Sequence, residues 1–207
     1  PTLGAGRAAK LRAELKARGL DGFIIPRADE HQGEYVPPHA ERLRWLTGFS
    51  GSAGLAIVLQ DKAAIFIDGR YTLQVRYQVD IDVFEPQSLM GMPPAQWVEE
   101  NLLAGAKLAY DPWLHTVESV KRLKLATEKV GSELVAVEGN IVDAIWDDQP
   151  EKPKAPVEPH DLVYAGAPAA EKLAAITSEL QSSDADATIV TMPDSIAWLF
   201  NIRGGDV

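Results

Sequence analysis

Apolar residues recur along the first part of the chain with two spacings, one typical of helices and one typical of short strands. In the segment from Ala8 to Arg18, Leu11 and Leu15 lie four residues apart among Ala, Lys and Arg. This spacing predicts an amphipathic helix, and Gly19 supplies a C-terminal stop. The apolar run Phe23–Ile25 that follows predicts a short strand.

The clearest strands form a pair in the middle of this region. Leu55–Leu59 and Ala63–Ile67 are apolar runs separated by three polar residues, so we expect them to pair as a hairpin. Apolar residues at helical spacing predict a helix over residues 71–79 after the second run, and Asp68 is well suited to cap it.

Helical and strand patterns alternate along the rest of the chain. Helices are predicted over Glu41–Leu46, Ala95–Leu103, Thr116–Lys129 and Pro168–Leu180, and strands over Lys107–Tyr110, Leu134–Val137 and Ala187–Met192. This alternation predicts the α/β class, and the hairpin makes the sheet mixed, with helices flanking it.

A change in composition divides the chain. Asp147–Pro159 contains four prolines and many charges, which is typical of a linker. The section beyond it repeats the order found at the start: a helix, a short apolar strand, a proline, then Trp198-Leu199 where the first copy has Trp45-Leu46. We therefore predict one domain over 1–146, a linker over 147–159, and the incomplete beginning of a second, similar domain over 160–207. On this reading the chain is expected to be a fragment of a longer protein.

Composition narrows the possible functions. The 207 residues are 46% hydrophobic and 24% charged, and their formal net charge is −10. An acidic surface repels phosphate groups, so we expect no nucleic-acid and no membrane partner. The absence of cysteine excludes disulfides and thiol chemistry. No apolar run spans a bilayer and no signal-peptide pattern is present, so a cytoplasmic location is expected.

The most glycine-rich segment, Gly48–Gly54, does not predict a nucleotide site. Its spacing differs from the dinucleotide fingerprint, and a strand follows it where a phosphate site needs a helix. Ser50 and Ser52 do not lie in the Gly-x-Ser-x-Gly turn of serine hydrolases. A tight backbone turn is the favoured interpretation, and no catalytic residue is predicted in this chain.

The histidines do not predict a metal site either. They are scattered at positions 31, 39, 115 and 160. His31 and Glu34 are three residues apart, which on a helix could present both to one ion. Because glycine and prolines flank them, a loop is the better interpretation. The His-Glu-x-x-His motif is absent.

Arg70 is the most informative candidate for binding. It falls in the first turn of the predicted helix, where the helix dipole disfavours a cation by a few tenths of a kcal/mol. Such a cation can bind an external anion or carbonyl group, or it can simply be solvated. Tyr71 beside it can face a site or pack on the hairpin. The residues by themselves leave both choices open.

Five segments, in this order, carry a family resemblance. They are His31-Gln32-Gly33-Glu34-Tyr35-Val36-Pro37, Leu46-Thr47-Gly48-Phe49-Ser50-Gly51-Ser52-Ala53-Gly54, Asp68-Gly69-Arg70-Tyr71, Ile141-Val142-Asp143-Ala144-Ile145-Trp146 and Ile196-Ala197-Trp198-Leu199-Phe200-Asn201-Ile202-Arg203-Gly204. Together they resemble the cytosolic Xaa-Pro aminopeptidases (aminopeptidase P) of the creatinase-like, pita-bread metallopeptidase superfamily.

The resemblance implies two related creatinase-type domains followed by a catalytic domain that removes the residue before a proline. It implies two divalent metal ions, usually manganese, held in that third domain by two Asp, one His and two Glu. None of those motifs occurs here, so the chain alone is expected to be inactive and to hold no cofactor.

The resemblance also assigns roles to the first domain, which supports dimer formation and covers the catalytic cleft. It implies that Arg70 contacts the bound peptide, whose second residue is proline. His31, Glu34 and Tyr35 match a family motif without an assigned role.

Two alternatives remain beside this interpretation. A non-catalytic peptide- or protein-binding module on the same fold would suit basic partners, because the surface is acidic. A creatinase or prolidase relative is the third possibility. It ranks lower because the motifs around His31 and Arg70 look specific to aminopeptidase P.

Overall fold

The computed structural model of the chain describes residues 3–205, which fold as two compact units. The first unit comprises Pro38–Pro150 and the described residues up to Glu30. The second comprises His31–Pro37 and the described residues from Glu151 onwards.

A six-stranded mixed sheet forms the centre of the first unit. Its strands are β1 (Gly22–Pro26), β2 (Gly54–Leu59), β3 (Ala63–Ile67), β4 (Glu85–Ser88), β5 (Lys107–Tyr110) and β6 (Glu133–Ala136). They lie in the order β4-β3-β2-β1-β5-β6. The pairs β1–β2 and β2–β3 are antiparallel, while β3–β4, β1–β5 and β5–β6 are parallel.

Five α-helices accompany this sheet among the described residues. They are α1 (Leu3–Ala17), α2 (Arg42–Thr47), α3 (Gln74–Gln78), α4 (Pro94–Asn101) and α5 (Val117–Lys129). Short 3₁₀ turns occur at Pro38–Ala40, Gly69–Tyr71, Pro112–Leu114 and Asp143–Ile145. The predicted α/β class, with helices flanking a mixed sheet, is confirmed.

Alternating side chains of the strands build a core on each face of the sheet. On one face, Phe23 and Ile25 of β1 pack with buried leucines of α1 and α2. On the other face, Ile24 packs with Trp97 of α4 and Leu123 of α5. The first unit is therefore a helix–sheet–helix sandwich.

Helices are the longest elements of the second unit. Its elements are β7 (Glu158–Pro159), α6 (Leu162–Ala165), α7 (Ala169–Ser182), α8 (Pro193–Phe200) and β8 (Ile202–Arg203). The two short strands pair antiparallel.

The predicted strand at Ala187–Met192 is wrong. These residues have no regular secondary structure and all are exposed; Ile189 is 89% exposed. An apolar run becomes a strand only when a neighbouring strand satisfies its backbone N–H and C=O groups. No strand of the described residues pairs with this segment.

A second correction concerns Asp68. It caps the 3₁₀ turn Gly69–Tyr71 and not an α-helix that runs from residue 71, because α3 begins only at Gln74. Its carboxylate accepts from the backbone N–H of Arg70 two residues on, which closes a tight turn at the end of β3. Strand β4 was not predicted at all.

Candidate functional site

The hairpin of β2 and β3 brings two of the sequence motifs together. Gly54, the first residue of β2, pairs with Ile67, the last residue of β3. The glycine-rich segment that precedes β2 and the Asp-Gly-Arg-Tyr segment that follows β3 therefore lie at the same end of the hairpin. Arg70, the predicted binding residue, lies in the turn at this end.

Asp68 fixes the position of Arg70 in two ways. Its Oδ1 accepts a hydrogen bond from the backbone N–H of Arg70 and another from Arg70 Nε, both at 2.9 Å. These bonds lower the pKa of the Asp68 carboxyl below its usual value, the backbone bond most of all. Although it is tied in this way, the Arg70 side chain remains 66% exposed.

Tyr71 lies next to the guanidinium and is itself held in place. The Arg70 guanidinium carbon lies 5.2 Å from the centre of the Tyr71 ring, within the range of a cation–π contact. The hydroxyl oxygens of Tyr71 and Ser52 are 2.7 Å apart and share a hydrogen bond. This bond lowers the pKa of the Tyr71 phenol, and the positive charge of Arg70 adds to the effect.

The ring of Tyr71 also packs against the protein core. It meets the ring of Phe49 edge to face, with centroids 5.6 Å apart, and Phe49 is 1% exposed. The structure therefore shows the packing interpretation of Tyr71, and the same ring also contacts Arg70.

Two glycines of the Gly48–Gly54 segment make this packing possible. A Cβ at Gly51 would lie 2.3 Å from the Phe49 ring. Gly48 has a φ of 85°, and a Cβ there would lie 2.6 Å from the carbonyl oxygen of Gln78. The glycines thus permit close approach of the backbone to its neighbours.

A polar cluster on the same loop was missed by sequence reasoning. Gln78 Oε1 accepts from the backbone N–H of Ser50 at 3.0 Å, and Gln78 Nε2 donates to Ser50 Oγ at 2.8 Å. Gln74 Nε2 donates to the same Oγ at 3.2 Å. The available signal was the spacing of the two glutamines, which puts them on one face of a helix.

The motif that begins at His31 belongs to a different unit from Arg70. Residues His31–Pro37 group with the second unit, whereas Arg70 belongs to the first. His31 and Glu34 lie in a loop and not on a helix, and Tyr35 is 77% exposed.

His115 lies largely out of contact with solvent. Burial lowers its pKa to about 4, and the nearby Asp111 carboxylate opposes that shift only in part. Its ring meets Tyr110 edge to face, and its Nε2 is buried without a hydrogen-bond partner. It follows the 3₁₀ turn Pro112–Leu114 and is partly buried, so the arrangement is that of a structural residue.

The metal-ligating side chains of the described residues do not converge. Among residues 3–205, no three His, Asp or Glu side chains lie together in a way that could hold a metal ion. The residues present therefore do not fit a two-metal centre. In the same part of the chain, no helix is long and apolar enough to cross a membrane.

Comparison with protein families gives a direct match. A family model described as the creatinase/prolidase N-terminal domain matches residues 7–145. The chain belongs to this family. A second model with the same description matches residues 148–207.

The chain is also similar to proteins named as aminopeptidases P. The chain is 39% identical over 204 residues to the protein named "Probable Xaa-Pro aminopeptidase P" of Talaromyces marneffei, which covers 97% of this chain and 31% of that protein. It is 37% identical over 193 residues to Aminopeptidase P2 of Arabidopsis thaliana, covering 91% of this chain and 27% of that protein. The chain thus spans about a third of the length of the relatives it matches. The resemblance to the N-terminal region of aminopeptidase P is confirmed.

Solved structures agree with the family. The chain superposes on X-prolyl aminopeptidase of Caenorhabditis elegans, described as a cytosolic enzyme with a di-nuclear active site. The TM-score is 0.88 at 28% identity, over 100% of this chain and 36% of that one. The N-terminal domain of the cytoplasmic peptidase PepQ from Mycobacterium tuberculosis H37Rv has a TM-score of 0.53 at 30% identity, over 68% of this chain and 98% of that one.

Proposed function

We propose that this creatinase/prolidase N-terminal chain is the non-catalytic N-terminal part of a metal-dependent Xaa-Pro aminopeptidase. The whole enzyme removes the first residue of a peptide whose second residue is proline. The observation that carries the proposal is the 39% identity over 204 residues to a relative named as an Xaa-Pro aminopeptidase P. The two divalent metal ions of the enzyme, which we take to be manganese, belong to a part of the protein outside residues 3–205.

The proposal includes an arrangement and a location. We assign residues 1–146 to the first creatinase-type domain, 147–159 to a linker and 160–207 to the beginning of a second, similar domain. Matches of two N-terminal domain models to residues 7–145 and 148–207 support this division. The assembled enzyme is a cytoplasmic homodimer in which the first domain also covers the catalytic cleft.

Arg70 is the residue through which this part of the enzyme contacts the peptide. A guanidinium carries five N–H donors in one plane and suits a peptide carbonyl or carboxylate. The 66% exposure of the Arg70 side chain makes it accessible at the end of the hairpin.

The activity is tested on the product of the whole reading frame that encodes this chain. The substrates are two tripeptides that differ only in proline or alanine at the second position. With manganese we expect cleavage of the first bond in the proline peptide alone, and loss of cleavage after metal chelation. Failure to cleave either peptide, or equal cleavage of both, overturns the proposal. Binding of basic peptides without cleavage favours the non-catalytic module.

The role of Arg70 is tested in the same protein. We expect Arg70→Ala to raise KM about tenfold, because a hydrogen bond to a charged group is lost from peptide binding. The matched control is Arg76→Ala, which removes the same charge from an exposed position of α3. Unchanged kinetics in Arg70→Ala overturn the assignment of Arg70.

A further inference from the structure

The Arg70 side chain makes two contacts that the turn does not require, one with Asp68 and one with the Tyr71 ring. Exposed ion pairs add little to stability, and the carboxylate of Asp68 closes the turn through the backbone N–H of Arg70 alone. The additional bond from Arg70 Nε and the contact with the Tyr71 ring therefore fix mainly the direction of the guanidinium.

Tyr71 connects the core to Arg70. Its ring and the buried Phe49 ring meet edge to face, and its hydroxyl is held by Ser52 at 2.7 Å. With both ends fixed, the ring presents one face to the guanidinium 5.2 Å away. An arginine that is already oriented loses less conformational freedom when it binds a peptide than a mobile one does.

We propose that Asp68, Tyr71 and Ser52 are positioning residues that hold the Arg70 guanidinium in the orientation needed to contact the peptide. This inference rests on the proposed function. Asp68 and the Tyr71 ring act directly on Arg70, and Ser52 acts through the Tyr71 hydroxyl.

The first experiment measures order in the 207-residue chain without any substrate. Relaxation of ¹⁵N at Arg70 Nε gives the order parameter of its N–H bond, with the exposed Arg76 as the internal reference. We expect Arg70 to be clearly more ordered than Arg76, and Tyr71→Phe and Ser52→Ala each to lower its order parameter. A value for Arg70 no higher than that of Arg76, below about 0.6, overturns the inference.

The second experiment measures peptide kinetics in the whole protein. We expect Tyr71→Phe and Ser52→Ala each to raise KM about threefold with kcat unchanged, and the double variant to do no more than either single one, because both remove the same hydrogen bond. In an Arg70→Ala background, Tyr71→Phe is expected to have no further effect. The control is Tyr77→Phe, which removes a hydroxyl from a tyrosine that is 88% exposed.

Asp68 allows a test by conservative replacement. The amide oxygen of Asn can accept both bonds from Arg70, so we expect Asp68→Asn to keep a KM near that of the wild type. Asp68→Ala is expected to raise it about fivefold. An equal rise in both variants contradicts a positioning role, because it shows that the charge of Asp68 matters and not its hydrogen bonds.

Three kinds of failure are distinguishable. If the whole protein cleaves no Xaa-Pro peptide, the proposed function fails and the inference fails with it. If it cleaves the peptide but Arg70→Ala leaves KM unchanged, the assignment of Arg70 fails and the inference again fails with it. If Arg70→Ala raises KM while Tyr71→Phe and Ser52→Ala do not, the proposed function stands and only the positioning role is overturned.

Discussion

The two units each contain a tryptophan held by a cation from an earlier helix. In the first unit, the guanidinium carbon of Arg7 lies 4.6 Å from the ring centre of Trp45, and Arg7 Nη1 donates to the Trp45 carbonyl oxygen. In the second unit, Lys172 Nζ lies 4.6 Å from the ring centre of Trp198 and donates to the Trp198 carbonyl oxygen at 2.8 Å. We call these the Arg7–Trp45 and Lys172–Trp198 pairs.

The likeness continues after each tryptophan. A leucine follows directly, and both leucines are buried: Leu46 is 0% and Leu199 is 6% exposed. Each helix then ends at a residue in the left-handed region, Gly48 with a φ of 85° and Asn201 with a φ of 51°. The repeat read from the sequence is therefore also a repeat of local geometry.

The surroundings of the two pairs differ. Trp45 stacks on Trp146 at 5.3 Å, and the residues around it belong to the core beneath the six-stranded sheet. Trp198 is 53% and Phe200 is 50% exposed. The comparison teaches that a short sequence repeat can determine a helix, its cap and a cation–π contact, whereas burial depends on the layers that pack around them.

The largest expected difference concerns the two buried leucines. Leu46→Ala should lower the free energy of unfolding of the first unit by about 3–4 kcal/mol, because it opens a cavity in a closed core. Leu199→Ala should cost the second unit about 2 kcal/mol, since its partly exposed neighbours can collapse into the space. Urea denaturation measures both, with Leu73→Ala, at a residue that is 72% exposed, as the control. Equal losses would remove the distinction between the two units.

Acid is expected to act on the first unit through His115. Its pKa is lowered to about 4 from 6.5, so the unfolded state binds more protons between these values and stability falls as pH drops through this window. The loss should reach on the order of 3 kcal/mol. Urea denaturation at pH 7 and pH 4 should show a weaker pH dependence in His115→Gln. His160→Gln, in the second unit, is the control, and an identical pH profile in His115→Gln would contradict this origin.

An exchange of residues should destabilise both helix ends, the end at Gly48 more than the end at Asn201. Gly48→Asn introduces a Cβ that would lie 2.6 Å from the Gln78 carbonyl oxygen, so we expect a loss of about 2 kcal/mol. Asn201→Gly relieves backbone strain but removes a hydrogen bond to Lys172 and another to the Ala167 carbonyl, a net loss of about 1 kcal/mol. Thermal denaturation compares the variants. An unaffected Gly48→Asn would show that the loop can shift away from α3.

The smallest difference concerns the cations themselves. Lys172 is 7% exposed and its ammonium donates both to Trp198 and to Asn201, so we expect Lys172→Met to cost about 1.5 kcal/mol. Arg7→Met should cost about 1 kcal/mol, because stacking on Trp146 still holds Trp45 in place. Trp198 is the only tryptophan in residues 151–207, so the fluorescence lost in Trp198→Phe is that of the second unit. Comparing the fluorescence unfolding curves with and without Trp198 therefore separates the unfolding transitions of the two units. A larger loss of stability in Arg7→Met than in Lys172→Met would contradict this interpretation of the two pairs.

Much of the first unit was predictable because its local signals agree with its packing. The strand at Lys107–Tyr110 is confirmed with the predicted bounds, and the hairpin is confirmed as an antiparallel pair. The predicted helix at Thr116–Lys129 is confirmed from Val117, with Thr116 as its cap.

The errors arise where pairing partners decide the outcome. Strand β4, Glu85-Pro86-Gln87-Ser88, is polar and contains a proline, so it exists only because it pairs with β3. Conversely, Ala187–Met192 has the composition of a strand and no described partner, and it is not a strand. Strand propensity depends only on the residues of the segment itself, whereas formation of a sheet depends on pairing with residues far away in the sequence.

The candidate site was predictable only in part. Arg70 was singled out by its place in the first turn of a predicted helix and by the family resemblance, but it lies in a 3₁₀ turn before α3. The hairpin implies that the segments at its open end are close. The hydrogen bond between Ser52 and Tyr71 and the support from Phe49 depend on side-chain directions that spacing alone does not determine.

The position of β1 in the sheet has a consequence for synthesis of the chain. One edge of β1 pairs with β2, the next strand in the sequence. The other edge pairs with β5, which is synthesised much later, and there Ile24 pairs with Tyr110. At roughly 5–20 residues per second, that edge of Phe23-Ile24-Ile25 stays open for roughly 4–17 s while the ribosome makes the intervening residues. The nascent chain thus carries an unpaired apolar strand edge during elongation, which makes the late arrival of β5 the step that protects it from neighbouring chains.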